Sequence, residues 1–170
     1  KLGGVPLDLI IRDERASDHP AIRAIHLAAF PTAAEADLVE QLRRDGDARV
    51  SLVGLAGDVV VGHVMGSLMR APFPALGLGP VAVLPGFRRR GVAERLIRRC
   101  LARAEDEGVV AVFVLGNPAY YGRFGFRASL AAAFGSPYAG PHLMALPLSS
   151  GHLPVTDGEI AYAPAFDGLE

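Results

Sequence analysis

The stretch that most constrains this chain is Val81-Ala82-Val83-Leu84-Pro85-Gly86-Phe87-Arg88-Arg89-Arg90-Gly91-Val92-Ala93. A β-branched apolar run leads into it and an amphipathic helical pattern leads out, with a short turn rich in glycine and arginine between. A strand that feeds a helix through such a turn points the helix's first backbone N–H groups at one spot. Those groups lack intrahelical partners and sit at the positive end of the macrodipole, so the spot binds anions, phosphate above all. At Gly91 no Cβ stands between the backbone and a pyrophosphate. Ala93 keeps the helix start narrow, and Arg88, Arg89 and Arg90 add positive charge at the rim.

The helix predicted from Gly91 to Glu107 buries Val92, Leu96, Ile97, Cys100, Leu101 and Ala104 as one stripe. Cys100 falls on that stripe and reads as a small core residue, not a nucleophile. Gly108 stops the helix. Val109 to Leu115 is a continuous apolar run, expected to be a buried parallel strand. Strand, helix and strand form one βαβ unit, whose ligand crevice lies at the carboxyl ends of the strands.

Upstream, Leu7 to Arg12 reads as a first strand. A helix capped by Ser17, with Pro20 in its first turn, runs to about Phe30 with Ile22, Ile25 and Ala29 inward, and Pro31 breaks it. Thr32-Ala33-Ala34-Glu35 matches a capping box and opens a second helix that ends at Asp45-Gly46. Glu35, Leu38, Val39 and Leu42 fall at i, i+3, i+4 and i+7, so Glu35 sits at the edge of the apolar face. It either caps its own helix or faces a substrate. Arg49 to Ala56 and Val59 to Leu68 form a hairpin through Gly57-Asp58, whose Gly-x turn suits type II′. His63 on the second strand is structural or, if it faces the cleft, a proton relay. Leu76 to Leu84 is the next strand, and its Gly79-Pro80 marks a lapse in pairing.

At 170 residues and 51% hydrophobic, the chain is expected to fold as one domain over residues 1–170. A net charge of −1 gives no global pull toward nucleic acid or acidic membranes. One cysteine rules out an internal disulfide framework and fits a reducing cytoplasm. No apolar run is long enough to span a bilayer, and no signal peptide is visible. The chain starts at Lys1 without Met, which reads as a trimmed N-terminus.

Arg88-Arg89-Arg90-Gly91-Val92-Ala93 fits Gln/Arg-x-x-Gly-x-Gly/Ala, and it resembles the acyl-CoA-binding motif of the GNAT superfamily of N-acetyltransferases. Gly116-Asn117-Pro118-Ala119-Tyr120-Tyr121-Gly122-Arg123-Phe124-Gly125-Phe126 is similar to that family's Asn, short Tyr-bearing helix and Gly-Phe pair. Together with Tyr162-Ala163-Pro164-Ala165-Phe166, it resembles the YhbS-like branch. The core resemblance covers Leu76 to Phe126. It implies an α/β (α+β) fold: a mixed, strongly twisted sheet of about six to seven strands flanked by helices, with a splayed V between the fourth and fifth. Acetyl-CoA is then the co-substrate, with no metal. The implied cofactor contacts are Val81, Ala82 and Val83, which pair with the pantetheine arm as an added strand would. To these are added Arg88, Arg89, Arg90, Gly91, Val92, Ala93, Asn117, Tyr120, Tyr121 and Phe124.

The chemistry expected is direct attack of a primary amine on the thioester in a ternary complex. The free N–H around Val83 would donate to the developing oxyanion; one such donor is worth roughly 10²–10³ in rate. Tyr121, with Tyr120 as the adjacent alternative, would protonate the leaving thiolate. No carboxylate lies in the Leu76–Leu84 strand, so the base is Glu35 or His63 through water, or bulk solvent. Two other classes compete: an acyl-CoA-binding sensor without turnover, and a nucleic-acid module using Arg88 to Arg90, Arg95, Arg98, Arg99 and Arg103. Retention of Tyr121 disfavours the first. Neutral net charge and the Gly91/Ala93 spacing disfavour the second. The expected partner is an amine of unspecified identity, with the chain a monomer or homodimer, and neither nucleic acid nor membrane.

Overall fold

The computed structural model describes residues 7–168. Its elements are β1 (Leu9–Asp13), α1 (His19–Ala29), α2 (Ala34–Asp45), β2 (Ala48–Ala56), β3 (Val59–Leu68), β4 (Ala75–Val83), α3 (Val92–Asp106), β5 (Ala111–Leu115), α4 (Pro118–Tyr121), α5 (Ala128–Ala131), β6 (Phe134–Gly135), β7 (Leu143–Pro147) and β8 (Gly158–Glu159). Six strands form one mixed sheet in the order β1-β2-β3-β4-β5-β7, and β6 and β8 pair separately. Only β4 and β5 run parallel in the large sheet. The apolar run of β5 is continuous because both faces of the sheet are covered. Val112 and Val114 meet α3, while Ala111 and Phe113 meet Phe73, Phe134 and Leu143 on the other side.

Helix α3 lies where its stripe predicts, with Val92, Leu96, Ile97, Cys100 and Ala104 buried against the sheet, while Leu101, expected in the stripe, lies at its edge and is only partly buried. It comes close to β3 at Gly62, where a Cβ would stand 2.9 Å from Val92 Cγ1 and Leu96 Cδ1. Burial pushes the Cys100 thiol up to about 12, as expected of a core residue. The outer face of α3 is tied down. Arg103 pairs with Asp13 at 2.7 Å, Arg95 donates to the Leu9 carbonyl at 3.1 Å, and Arg98 pairs with Glu94 at 3.2 Å. Three of the arginines that could have formed a basic patch are thereby engaged within the chain.

Three local expectations are corrected. Ser17 does not cap α1; the buried Asp18 carboxylate accepts the Arg15 N–H at 2.7 Å and pairs with Arg12 at 2.7 Å. A charged partner makes Asp18 the stronger acceptor. The buried face of α1 carries His26 beside Ile22 and Ile25, whereas Ala29 is only half-buried. The capping box before α2 does not form. Thr32 Oγ1 accepts the Ala34 N–H at 3.2 Å, and Glu35 makes no return bond to the helix start.

Strand β4 carries the feature that organises the site. It pairs with β3 along its length, with a register shift opposite Gly79-Pro80, between the pairs Gly66↔Leu78 and Val64↔Val81. Its pairing with β5 ends at Leu78↔Val114. Beyond that pair β4 continues to Val83 with no strand on its β5 side, so the sheet forks between its fourth and fifth strands.

Candidate active site

The backbone on the open side of the fork can be read from one bond. Leu84 N–H donates to the Val61 carbonyl at 2.8 Å. Backbone groups alternate sides along a strand, so Ala82 also faces β3 while Val81 and Val83 turn their N–H and C=O into the fork.

Past the fork the chain makes the turn that feeds α3. Arg89 has φ 63° and Gly91 has φ 79°, both left-handed. The first amide bonded within the helix is that of Arg95, which donates to the Gly91 carbonyl at 3.1 Å. Among the described residues, the amides from Arg89 to Glu94 have no hydrogen-bond partner. Successive free amides around left-handed residues form an anion-binding concavity. A Cβ on Gly91 would meet nothing within 4 Å, so glycine is set here by its positive φ, which an L side chain rarely adopts.

Two hollows lie along this backbone. One, of about 300 Å³, is lined by Val83, Phe87, Arg88, Arg89, Gly91, Val92, Ala93, Glu94, Tyr120 and Arg123. The other, of about 400 Å³, is lined by Phe30, Glu35, Leu38, Leu78, Gly79, Pro80, Val81, Leu115, Tyr121, Tyr138, Tyr162 and Phe166. The one-turn helix α4 divides its two tyrosines between them, with Tyr120 in the first and Tyr121 in the second. The Tyr121 ring lies across Gly116, where a Cβ would stand 2.5 Å from its Cε2. Burial raises the Tyr121 hydroxyl above its ordinary value, so it is protonated at neutral pH.

The remaining predicted residues sit differently. Ala82 and Arg90 line neither hollow. Asn117 lines neither and caps α4, its Oδ1 accepting the Ala119 N–H at 2.9 Å. Phe124 is buried in the core beneath the Arg98 guanidinium, 4.9 Å from its ring centre. Glu35 does reach the larger hollow, and its Oε1 is buried without a hydrogen-bond partner. The Tyr162 hydroxyl, in the same wall, is also buried and unpartnered. Tyr138 is satisfied, donating to the Phe166 carbonyl at 3.3 Å.

His63 lines neither hollow. It is fully buried in a polar chain whose direction follows from donor counting. Ser51 donates its only proton to Glu14 at 2.5 Å, so it must accept from His63 Nε2 at 2.8 Å. His63 Nδ1 is then an acceptor and takes the His26 Nε2 proton at 2.8 Å. His26 Nδ1 is left buried and bare. Burial, with His63 and Arg43 nearby, lowers His26 to about 3. Burial also lowers His63, although Glu14 acts the other way. Burial alone would raise Glu14, but contacts from His63, Arg43 and Ser51 outweigh it and hold the carboxyl well below the usual carboxylate range. Sequence reasoning missed His26 as the partner of His63, and it missed Tyr138, Tyr162 and Phe166 as one wall of the larger hollow. The i, i+4 aromatic pair Tyr162 and Phe166 is the one signal that could have pointed to this wall.

A forked mixed sheet with a left-handed glycine turn at the foot of the forking strand defines an acetyltransferase class. The chain belongs to the acetyltransferase (GNAT) family, whose model matches residues 14–126. It is 35% identical over 126 residues to the Escherichia coli K12 protein named as the uncharacterized N-acetyltransferase YhbS, covering 70% of this chain and 74% of that one. The YhbS crystal structure in complex with CoA superposes with a TM-score of 0.89 at 29% identity, over 100% of this chain and 98% of that one. A GNAT family acetyltransferase from Brucella melitensis in complex with acetyl-CoA matches with a TM-score of 0.79 at 30% identity, over 95% and 99% of the two chains. Among the described residues, no group of three or more His, Cys, Asp or Glu is placed to hold a metal, and no helix is long and apolar enough to cross a membrane.

Proposed function

We propose that this chain is an acetyl-CoA-dependent N-acetyltransferase that acts by direct attack of a primary amine. The observation that carries the reading is the course of β4. It leaves β5 after Leu78, turns Val81 and Val83 into the gap, and runs on to six unbonded amides around Gly91. Those amides, with Arg88 and Arg89, would hold the pyrophosphate, and the free backbone of Val81 and Val83 would hold the pantetheine arm as an added strand. The complexes of the relatives with CoA and acetyl-CoA support the assignment.

Acetyl-CoA supplies an acetyl group activated as a thioester. Val81, the fork-facing β4 residue that lines the hollow of Tyr121 and Glu35, donates its N–H to the carbonyl oxygen as negative charge grows there, in place of the Val83 N–H expected from sequence, since Val83 lines the smaller hollow. Tyr121, raised by burial and protonated at neutral pH, hands its proton to the departing sulfur. Glu35, with an unpartnered oxygen in the same hollow, takes a proton from the arriving ammonium. Alignment of amine and thioester in one hollow contributes much of the remaining acceleration. His63 is excluded from direct contact by its burial and contributes through the stability of β3.

Calorimetric titration with acetyl-CoA tests the reading. Binding by the parent chain that Gly91→Glu abolishes, with unchanged circular dichroism, is the expected result. No binding by the folded parent would overturn it.

A further inference from the structure

We infer that the acceptor is a small primary amine on an apolar, uncharged body, with no carboxylate or phosphate beside the amine. The inference rests on the transferase reading above and concerns the larger hollow. Phe30, Tyr121, Tyr138, Tyr162 and Phe166 give it aromatic walls, and Leu38 and Leu115 add aliphatic surface. Glu35 is its one charged group, and no lysine, arginine or histidine is among its lining residues. Two polar atoms there lack any partner within the chain, Glu35 Oε1 and the Tyr162 hydroxyl. The Glu35 carboxylate is the one anionic acceptor among the lining residues, and an ammonium group brings a positive charge and three donors to pair with it. Tyrosine faces add cation–π attraction for the same charge.

A carboxylate on the acceptor would enter an apolar hollow that offers no cation and already contains Glu35. Burying an unpaired anion beside a like charge is strongly unfavourable. Free amino acids are therefore rejected, although their amines are suitable nucleophiles. A volume of about 400 Å³, shared with the acetyl end of the co-substrate, is that of a small-molecule site. Its walls come from Phe30 just after α1, from α2, β4, the end of β5 and α4, and from the segments that carry Tyr138, Tyr162 and Phe166.

The transfer balances. The amine nitrogen bonds to the acetyl carbon, and the carbon–sulfur bond breaks. Of the ammonium's three protons, one stays on the amide nitrogen and one leaves through Glu35 to solvent. The third replaces the proton that Tyr121 gives to sulfur.

Thiol release is measured with 2-phenylethylamine, L-phenylalaninamide, L-phenylalanine and a lysine-bearing peptide, and acetyl-CoA binding is measured in parallel. The first two are expected to be acetylated within about tenfold of each other, with kcat/KM at least about 100-fold above L-phenylalanine. Glu35→Gln is expected to raise KM for 2-phenylethylamine at least about tenfold and leave acetyl-CoA affinity unchanged. Acetyl-CoA binding with L-phenylalanine or the peptide as the better acceptor overturns the inference and spares the transferase reading. So does acetyl-CoA binding with no amine of the panel accepted, or an unaltered KM in Glu35→Gln. Failure of acetyl-CoA to bind overturns both.

Discussion

Acidification should destabilise this protein well above the pH at which ordinary carboxylates protonate, because His26 is buried neutral. Its ordinary value is 6.5, and burial lowers it to about 3 in the fold. A group with a depressed folded value is bound by more protons in the unfolded chain than in the folded one between those two values. Stability is therefore fully present above pH 6.5 and lost as pH falls toward 3. Integrating that difference from pH 7 to pH 5 gives a loss of about 2 kcal/mol from His26 alone. His63 moves in the same direction, so the pair exceeds that figure. Against a typical total of about 5–15 kcal/mol, this is a large share. Urea unfolding at pH 7 and pH 5, followed by circular dichroism, reads it as a drop in midpoint at constant slope. His26→Leu should be less stable at pH 7, since it strips His63 Nδ1 of its donor, yet should lose less between pH 7 and pH 5. A parent midpoint that does not move between the two pH values would refute the reasoning, as would a variant as pH-sensitive as the parent.

Three further outcomes are expected. Tyr121→Phe should lower kcat by about 10²-fold or more with acetyl-CoA affinity unchanged by calorimetry, since it removes a proton donor and little contact area. Gly116→Ala should lower kcat as well, because the new Cβ would stand 2.5 Å from Tyr121 Cε2 and force the ring to turn; the ring's displacement would be read in a crystal structure of the variant. Phe113→Ala should cost about 3–5 kcal/mol in urea unfolding. That ring is fully buried between Phe73 and Phe134, with centroids at 6.4 Å and 5.6 Å.

The parts of this molecule that were legible in the sequence are those fixed by local pattern. The stripe of α3, the hairpin of β2 and β3, the buried run of β5 and the lapse at Gly79-Pro80 each follow from spacing or backbone chemistry within one element. The strand-to-helix turn around Gly91 was readable for the same reason, whereas the positive φ of Gly91 was not foreseen, glycine having been read there as leaving room for a pyrophosphate. The hollows were not, because their walls come from segments far apart in the chain. Glu35 matched a capping box as well as it matched a cleft residue, and tertiary contacts decided between them. Nothing in the local pattern of α1 marks His26; its hydrogen bond to His63 of β3 shows why it is buried. Tyr138, Tyr162 and Phe166 come from the stretch after Phe126, where periodicity is weak and the wall is assembled by the fold.

A strand edge on the perimeter of a protein invites any other strand to join it. The edge along Gly79–Val83 lies instead at the floor of a fork, with Leu115 and Tyr121 on the opposite bank. Anything that lies alongside it must be slim and unbranched, with the gauge of a single extended chain. The slot thus sorts visitors by thickness before it reads any functional group. A second β-strand that kept its own neighbours would have to displace Leu115 and Tyr121 from that bank. That narrowness lets a sheet keep backbone groups unpaired without becoming sticky, a protection that natural proteins otherwise obtain with charges or bulges on their outer strands.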